Sequence, residues 1–102
     1  MHALELLPVQ AEARGAVPEE ALDSAVQRVR ALSRLTGGDA EFATVKLTAA
    51  RSPASHYPAL AQASLRAHGT IIRVRAEADT MPRAIARMSE RLRSRLERSQ
   101  RH

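Results

Sequence analysis

Cysteine is absent from the 102 residues, which excludes disulfide frameworks, thiolate zinc sites and cysteine nucleophiles. Tryptophan is absent too, and the aromatics are Phe42 and Tyr57 alone, so the interleaved aromatic and basic residues of a single-strand stacking platform are missing and reading of base sequence is not expected. No apolar run approaches the roughly 20 residues that span a bilayer, and MHALELLPVQ has neither the basic start nor the apolar stretch of a signal peptide. These absences predict a soluble cytoplasmic protein. A chain of this length makes one domain, residues 1–102, with a modest core and no room for a buried cleft between two lobes.

Positive charge is present and unevenly placed. Residues 1–68 carry seven cations (Arg14, Arg28, Arg30, Arg34, Lys46, Arg51, Arg66) and seven anions (Glu5, Glu12, Glu19, Glu20, Asp23, Asp39, Glu41). The whole surplus of +5 therefore sits from Gly69 onward, where nine arginines face Glu77, Asp79, Glu90 and Glu97. Such asymmetry points to a polyanionic partner. Lys46 is the single lysine; the arginines that replace it elsewhere bind phosphate oxygens in pairs and stack on bases.

Periodicity gives the element order. HALELLPV alternates at Leu4 and Leu6 and predicts a short strand stopped by Pro8, followed by a polar stretch through Gly15. VPEEALDSAVQRVRALSRLTGGD predicts a helix, with Pro18, Glu19 and Glu20 in the first turn and Gly37 just past the end. Its apolar positions Ala21, Ala25, Val29 and Leu32, supported by Leu22 and Val26, should face a sheet. EFATVKLTAA alternates Ala43, Val45, Leu47 and Ala49 against Phe42, Thr44, Lys46 and Thr48, the pattern of a strand with one wet face. RSPASHYP is a turn. ALAQASLRAHG is alanine-rich, yet its strict alternation between two turns predicts a strand against the helical propensity. TIIRVRAEA sets Ile72, Val74 and Ala76 inward and joins its predecessor by a tight link at Gly69. The closing helix starts around Thr80 to Pro82, where threonine can cap and proline is tolerated, and continues to the end. The expected architecture is α+β, a two-layer β-α-β-β-β-α sandwich of a four-stranded sheet with two helices on one face.

In the closing helix Ile85, Met88, Leu92 and Leu96 form an apolar stripe, with Ala84 and Ser89 at its margin. Arg83, Arg87, Arg91 and Arg95 fall four residues apart on one flank, and Arg98 extends the row. Like charges at that spacing repel by a few tenths of a kcal/mol per pair, and Glu90 and Glu97 are expected away from the row or at its end. The row predicts an anion-binding flank; Arg73, Arg75 and Lys46 join it as candidates through their placement on the sheet.

Catalysis is not expected. His2, His56, His68 and His102 are scattered, without a carboxylate or second histidine at ligand spacing. Glu19 and Glu20 suit the positive end of a helix dipole, and TGGD lacks the lysine of a phosphate loop. A DNA-binding role lacks helix-turn-helix spacing. A membrane-surface helix lacks aromatic anchors, and its apolar stripe is needed for the core.

The stretch GTIIRVRAEADTMPRAIARMSERLRSRLERSQRH resembles the last strand and second helix of the ribosome hibernation factors, the family of hibernation promoting factor and the ribosome-associated inhibitor also called protein Y. Ala76, Glu77, Met81, Ala84, Ile85, Arg91 and Leu92 carry the likeness, and VPEEALDSAVQRVRAL is similar to the family's first helix. Gln27 stands where the family commonly has a basic residue and Pro82 where it often has an aromatic. The resemblance covers nearly the whole chain and is closest to the short form, without the further C-terminal domain of the long members. It implies occupancy of the messenger and transfer RNA channel of the small ribosomal subunit and silencing of idle ribosomes. It nominates Arg28, Arg87, Arg91, Arg95 and Arg98 as rRNA contacts, with Arg83, Arg73, Arg75 and Lys46 added from charge placement alone. No cofactor, metal or small-molecule substrate is implied, and an exposed strand edge leaves pairing of two copies open. Two alternatives remain: a protein–protein interaction module, and a general nucleic-acid binder without ribosome silencing.

Overall fold

The computed structural model describes residues 7–50 and 58–99. Six elements carry the fold: β1 (Val9–Arg14), α1 (Glu19–Leu32), β2 (Ala40–Ala49), β3 (Ala59–Ala67), β4 (Thr70–Ala78) and α2 (Met81–Ser99). The strands form one mixed sheet in the order β1-β2-β3-β4. β1 runs parallel to β2, with α1 as the crossover between them, and the other two pairs are antiparallel. The α+β order expected from the sequence is the order found.

One boundary differs. The strand expected at HALELLPV rests on Leu4 and Leu6, which lie outside the described residues; among the described residues β1 occupies Val9–Arg14, starting at the last residue of that segment and continuing through the stretch read as polar. β1 is an edge strand in which only Val9 is partly buried; Ala11 and Ala13 alternate with Gln10, Glu12 and Arg14 but are exposed, so its apolar side is weak. Pro8 does not stop the strand but precedes it; a missing N–H costs nothing there, and its carbonyl still accepts from the Ala43 N–H at 3.0 Å. On β1, Arg14 Nε donates to Glu12 Oε2 at 2.8 Å, and this bond, backed by the arginine's charge, holds the Glu12 carboxyl below its ordinary range.

Helix ends follow the sequence signals. Pro18 stands at the α1 N-cap with Glu19 and Glu20 in the first turn. After Leu32 the helix tightens into a 3-10 turn, Ser33–Thr36, and Gly37 ends it in the left-handed conformation with φ 69°. At α2 the Arg83 N–H donates to Thr80 Oγ1 at 3.4 Å and the Ala84 N–H to the Thr80 carbonyl at 3.0 Å. The β3–β4 hairpin turns through His68 (φ 55°) and Gly69 (φ 74°), both left-handed as a two-residue type I′ loop requires. His68 is thus at the hairpin tip, 3.5 Å from Asp39.

Both helices pack into a single core with the inner face of the sheet. From α1 come Ala25, Val29 and Leu32; from α2 come Ala84, Ile85, Met88, Leu92 and Leu96, Ala84 being fully buried where the periodicity put it at the margin. Opposite them β2 contributes Ala43, Val45 and Leu47, β3 contributes Ala59, Ala61, Ala63, Leu65 and Ala67, and β4 contributes Ile72, Ala76 and Ala78. The many alanines on the inner face leave room for helices to lie close. α1 lies over β1 and β2, and α2 over β3 and β4.

Gly15, between β1 and α1, has φ 82°, and a Cβ built there would stand 2.3 Å from the Ala49 carbonyl oxygen. Gly15→Ala therefore meets both a left-handed backbone penalty and a clash with main chain that cannot rotate away. A loss of about 2 kcal/mol is expected from the backbone conformation alone. Urea denaturation against wild type measures it, and an unchanged midpoint would mean that the β1–α1 connection can rearrange.

Candidate nucleic-acid interface

α2 follows β4 after the two-residue turn Asp79–Thr80 and so lies back along it in the opposite direction. Four helical residues rise about 6.0 Å and two strand residues about 6.6 Å, so arginines four apart on α2 can reach alternate residues of β4. β4 is the outer strand, and alternate carbonyls along it face away from β3. The arginine row meets them. Arg87 Nη1 donates to the Glu77 carbonyl at 2.8 Å, Arg91 Nη1 to that of Arg75, and Arg95 Nη1 to that of Arg73 at 3.4 Å.

The row thus closes the sheet edge, a role that charge counting alone does not suggest. An unpaired outer strand is a template for pairing with another chain, and positive side chains laid along it are one way proteins blunt it. The carbonyls also attract the guanidinium groups, which offsets part of the repulsion within the row. Each guanidinium has five N–H donors, and the bond to β4 occupies one; the others remain for a ligand. Among the described residues, no carboxylate pairs with Arg87, Arg91 or Arg95.

Between the row and the strand lies an open groove of about 680 Å³ lined by Arg73, Arg75, Arg87, Arg91, Arg95 and Arg98, together with Val74, Glu90 and Ser94. Glu90, expected away from the row, borders this groove. Six of the nine candidate residues are gathered here, and three are not. Arg83 turns to Asp79, its Nη1 3.4 Å from Oδ2. Arg28 is exposed on α1, in a furrow between the helices that it shares with Glu90 and Arg93 of α2. Lys46 is half-buried on the open face of the sheet.

That open face, opposite the helices, holds residues the charge reading passed over. The strand register aligns Phe42, Arg66 and Ile71 in one row, Thr44, Ser64 and Arg73 in the next, and Lys46, Gln62 and Arg75 in a third. Phe42 is 40% and Ile71 45% exposed.

No family model matches the sequence, and no curated protein gives a significant match. Solved structures do. The N-terminal domain of protein Y from Thermus thermophilus superposes with a TM-score of 0.73, covering 92% of this chain and all of that one at 21% identity. The chain has the fold of the protein Y N-terminal domain. A ribosomal subunit interface protein from Coxiella burnetii gives a TM-score of 0.72 at 15% identity, covering 94% of this chain and all of that one. The likeness is one of backbone, at low sequence identity.

Among the described residues no three His, Cys, Asp or Glu side chains gather as a metal site, and no helix is long and apolar enough to cross a membrane. His2, His56 and His102 lie outside the described residues.

Proposed function

We propose that residues 1–102 form one hibernation-factor domain, which occupies the small ribosomal subunit in the cytoplasm and silences idle ribosomes. The observation that carries this reading is the groove between β4 and α2, where six arginines converge on a fold shared with the protein Y N-terminal domain and with a ribosomal subunit interface protein. Arg87, Arg91, Arg95 and Arg98 are the principal rRNA contacts, Arg73 and Arg75 contribute from the strand, and Arg28, Arg83 and Lys46 act from the periphery.

The mechanism is electrostatic occupancy. Arginine binds phosphate oxygens with a planar fork, and each neutralised phosphate releases counterions. Binding should weaken with salt at a log–log slope of roughly −0.7 to −0.9 per contact, hence about −4 to −5 if all six groove arginines engage. The guanidiniums tethered to β4 are already ordered, so less side-chain entropy is lost on binding.

Co-sedimentation with vacant ribosomes across a salt series tests this. Migration with the small subunit and a slope near −4 is the expected result. If duplex DNA of random sequence competes as well as ribosomes do, the chain is a general nucleic-acid binder. If the protein stays at the top of the gradient even at low salt, the ribosomal reading is wrong.

A further inference from the structure

The open face of the sheet carries a cavity of about 500 Å³ walled by Phe42, Thr44, Lys46, Ser64, Arg66 and Arg73 among others. We propose that this face is a second nucleic-acid contact, one that takes an unpaired stretch of RNA and stacks a base on Phe42. The inference rests on the RNA-binding reading given above and extends it from the helix flank to the opposite side of the molecule.

Three observations carry it. The charged residues walling the cavity are all cations, Lys46, Arg66 and Arg73; two acids border them, Glu41, 3.3 Å from Arg66 in an exposed pair that solvent screens strongly, and Glu12, opposite Lys46 across the β1–β2 register and held by Arg14 at 2.8 Å. The exposed ring of Phe42 is flanked through the strand register by Arg66 and then Ile71, an apolar platform beside a guanidinium, which is the setting in which protein surfaces stack unpaired bases. Arg73 lines both this cavity and the arginine groove, so the two positive surfaces meet around the β4 edge. A strand leaving the groove passes Arg73 and finds Phe42 two strands, about 10 Å, across the sheet. A protein partner fits less well. Phe42 and Ile71 are the large apolar side chains exposed among the described residues, far less than the apolar core of a stable protein interface.

The hydroxyls of Thr44 and Ser64, bonded to each other on the middle row, fill the space between ring and cations with groups that can turn to a ribose or phosphate. Nothing in this arrangement reads base identity; a π face accepts any base. An oligouridylate long enough to span both surfaces is therefore a sufficient probe.

The test titrates a fluorescently labelled oligouridylate with wild type, Phe42→Ala, Phe42→Leu and Phe42→Trp, each checked for an unchanged melting curve. Loss of one stacked base weakens binding by about five- to tenfold at the low end of the known range. Alanine and leucine should both show that loss, tryptophan should not, and the salt slope should stay that of wild type because no charge is removed. Leucine binding as well as phenylalanine would reduce the platform to a greasy spot and overturn the inference. So would alanine without effect on RNA, and if that variant instead changed the sedimentation of the protein alone, the face would be a contact between copies. The two readings fail separately: wild type that binds ribosomes but not oligouridylate removes this inference and leaves the ribosomal one, whereas wild type that binds neither removes both.

Discussion

Glutamine at Arg87, Arg91 and Arg95 together is expected to release the protein from ribosomes and to make the free protein self-associate. The first effect follows from charge. Three phosphate contacts fewer should flatten the salt dependence by about two to three units of slope and weaken binding by roughly a hundredfold or more, since hydrogen bonds to charged groups contribute about 1.5–3 kcal/mol each. The second follows from the carbonyls of Arg73, Arg75 and Glu77, which the three guanidiniums cover. Glutamine is shorter and uncharged, so those carbonyls return to solvent along the outer strand. Lysine at the same positions separates the effects. It keeps the charge and a flexible donor but not the planar fork, so ribosome binding should persist in part and the edge should stay guarded. Sedimentation velocity of the free variants and co-sedimentation with ribosomes read the two outcomes. A glutamine variant that stays monomeric would show that the edge needs no guard, and one that still binds ribosomes would remove the row from the interface.

Leu92→Ala should cost about 3 kcal/mol, the middle of the range for a fully buried leucine. Leu92 is entirely inaccessible, midway along α2 between Met88 and Leu96, so truncation leaves a cavity between α2 and the sheet. A small domain has only about 5–15 kcal/mol to lose, and at about 4–8 °C per kcal/mol the melting temperature should fall by roughly 12–24 °C. Ser94→Ala, two residues on and at the groove, should change little by comparison. Thermal melts of the two variants decide the matter. A loss below about 1 kcal/mol at Leu92 would mean that α2 is held to the sheet by its arginines and not by its apolar stripe.

The burial pattern of α2 was legible because a helix on a sheet must repeat its apolar residues every three to four positions, and Ile85, Met88, Leu92 and Leu96 do so. β3 was legible against the helical propensity of its alanines because alternation bounded by turns outweighs propensity, and burial follows that alternation from Ala59 to Ala67. β1 was hard to read because, on an edge strand with only Val9 partly buried, the alternation of Val9, Ala11 and Ala13 against Gln10, Glu12 and Arg14 is carried by small exposed residues. The bonds from α2 to β4 left no trace either: they end on main-chain carbonyls, and nothing in the side chains of residues 73, 75 and 77 records that they are held. Phe42 and Ile71 lie 29 positions apart in sequence and share a row only through the β2–β3–β4 register. Arg28 could be assigned to a helix but not to a flank, since its neighbours across the furrow come from α2.

The grip of α2 on β4 also has an evolutionary side. A carbonyl oxygen is the same whatever residue bears it, so the contact is blind to the strand's side chains. Residues 73, 75 and 77 can therefore change type without loosening the edge, whereas the spacing of four on the helix cannot slip by one. Relatives of this chain should keep their long cationic side chains in phase along the helix, and any constraint on residues 73 and 75 comes from the ligand and not from the edge.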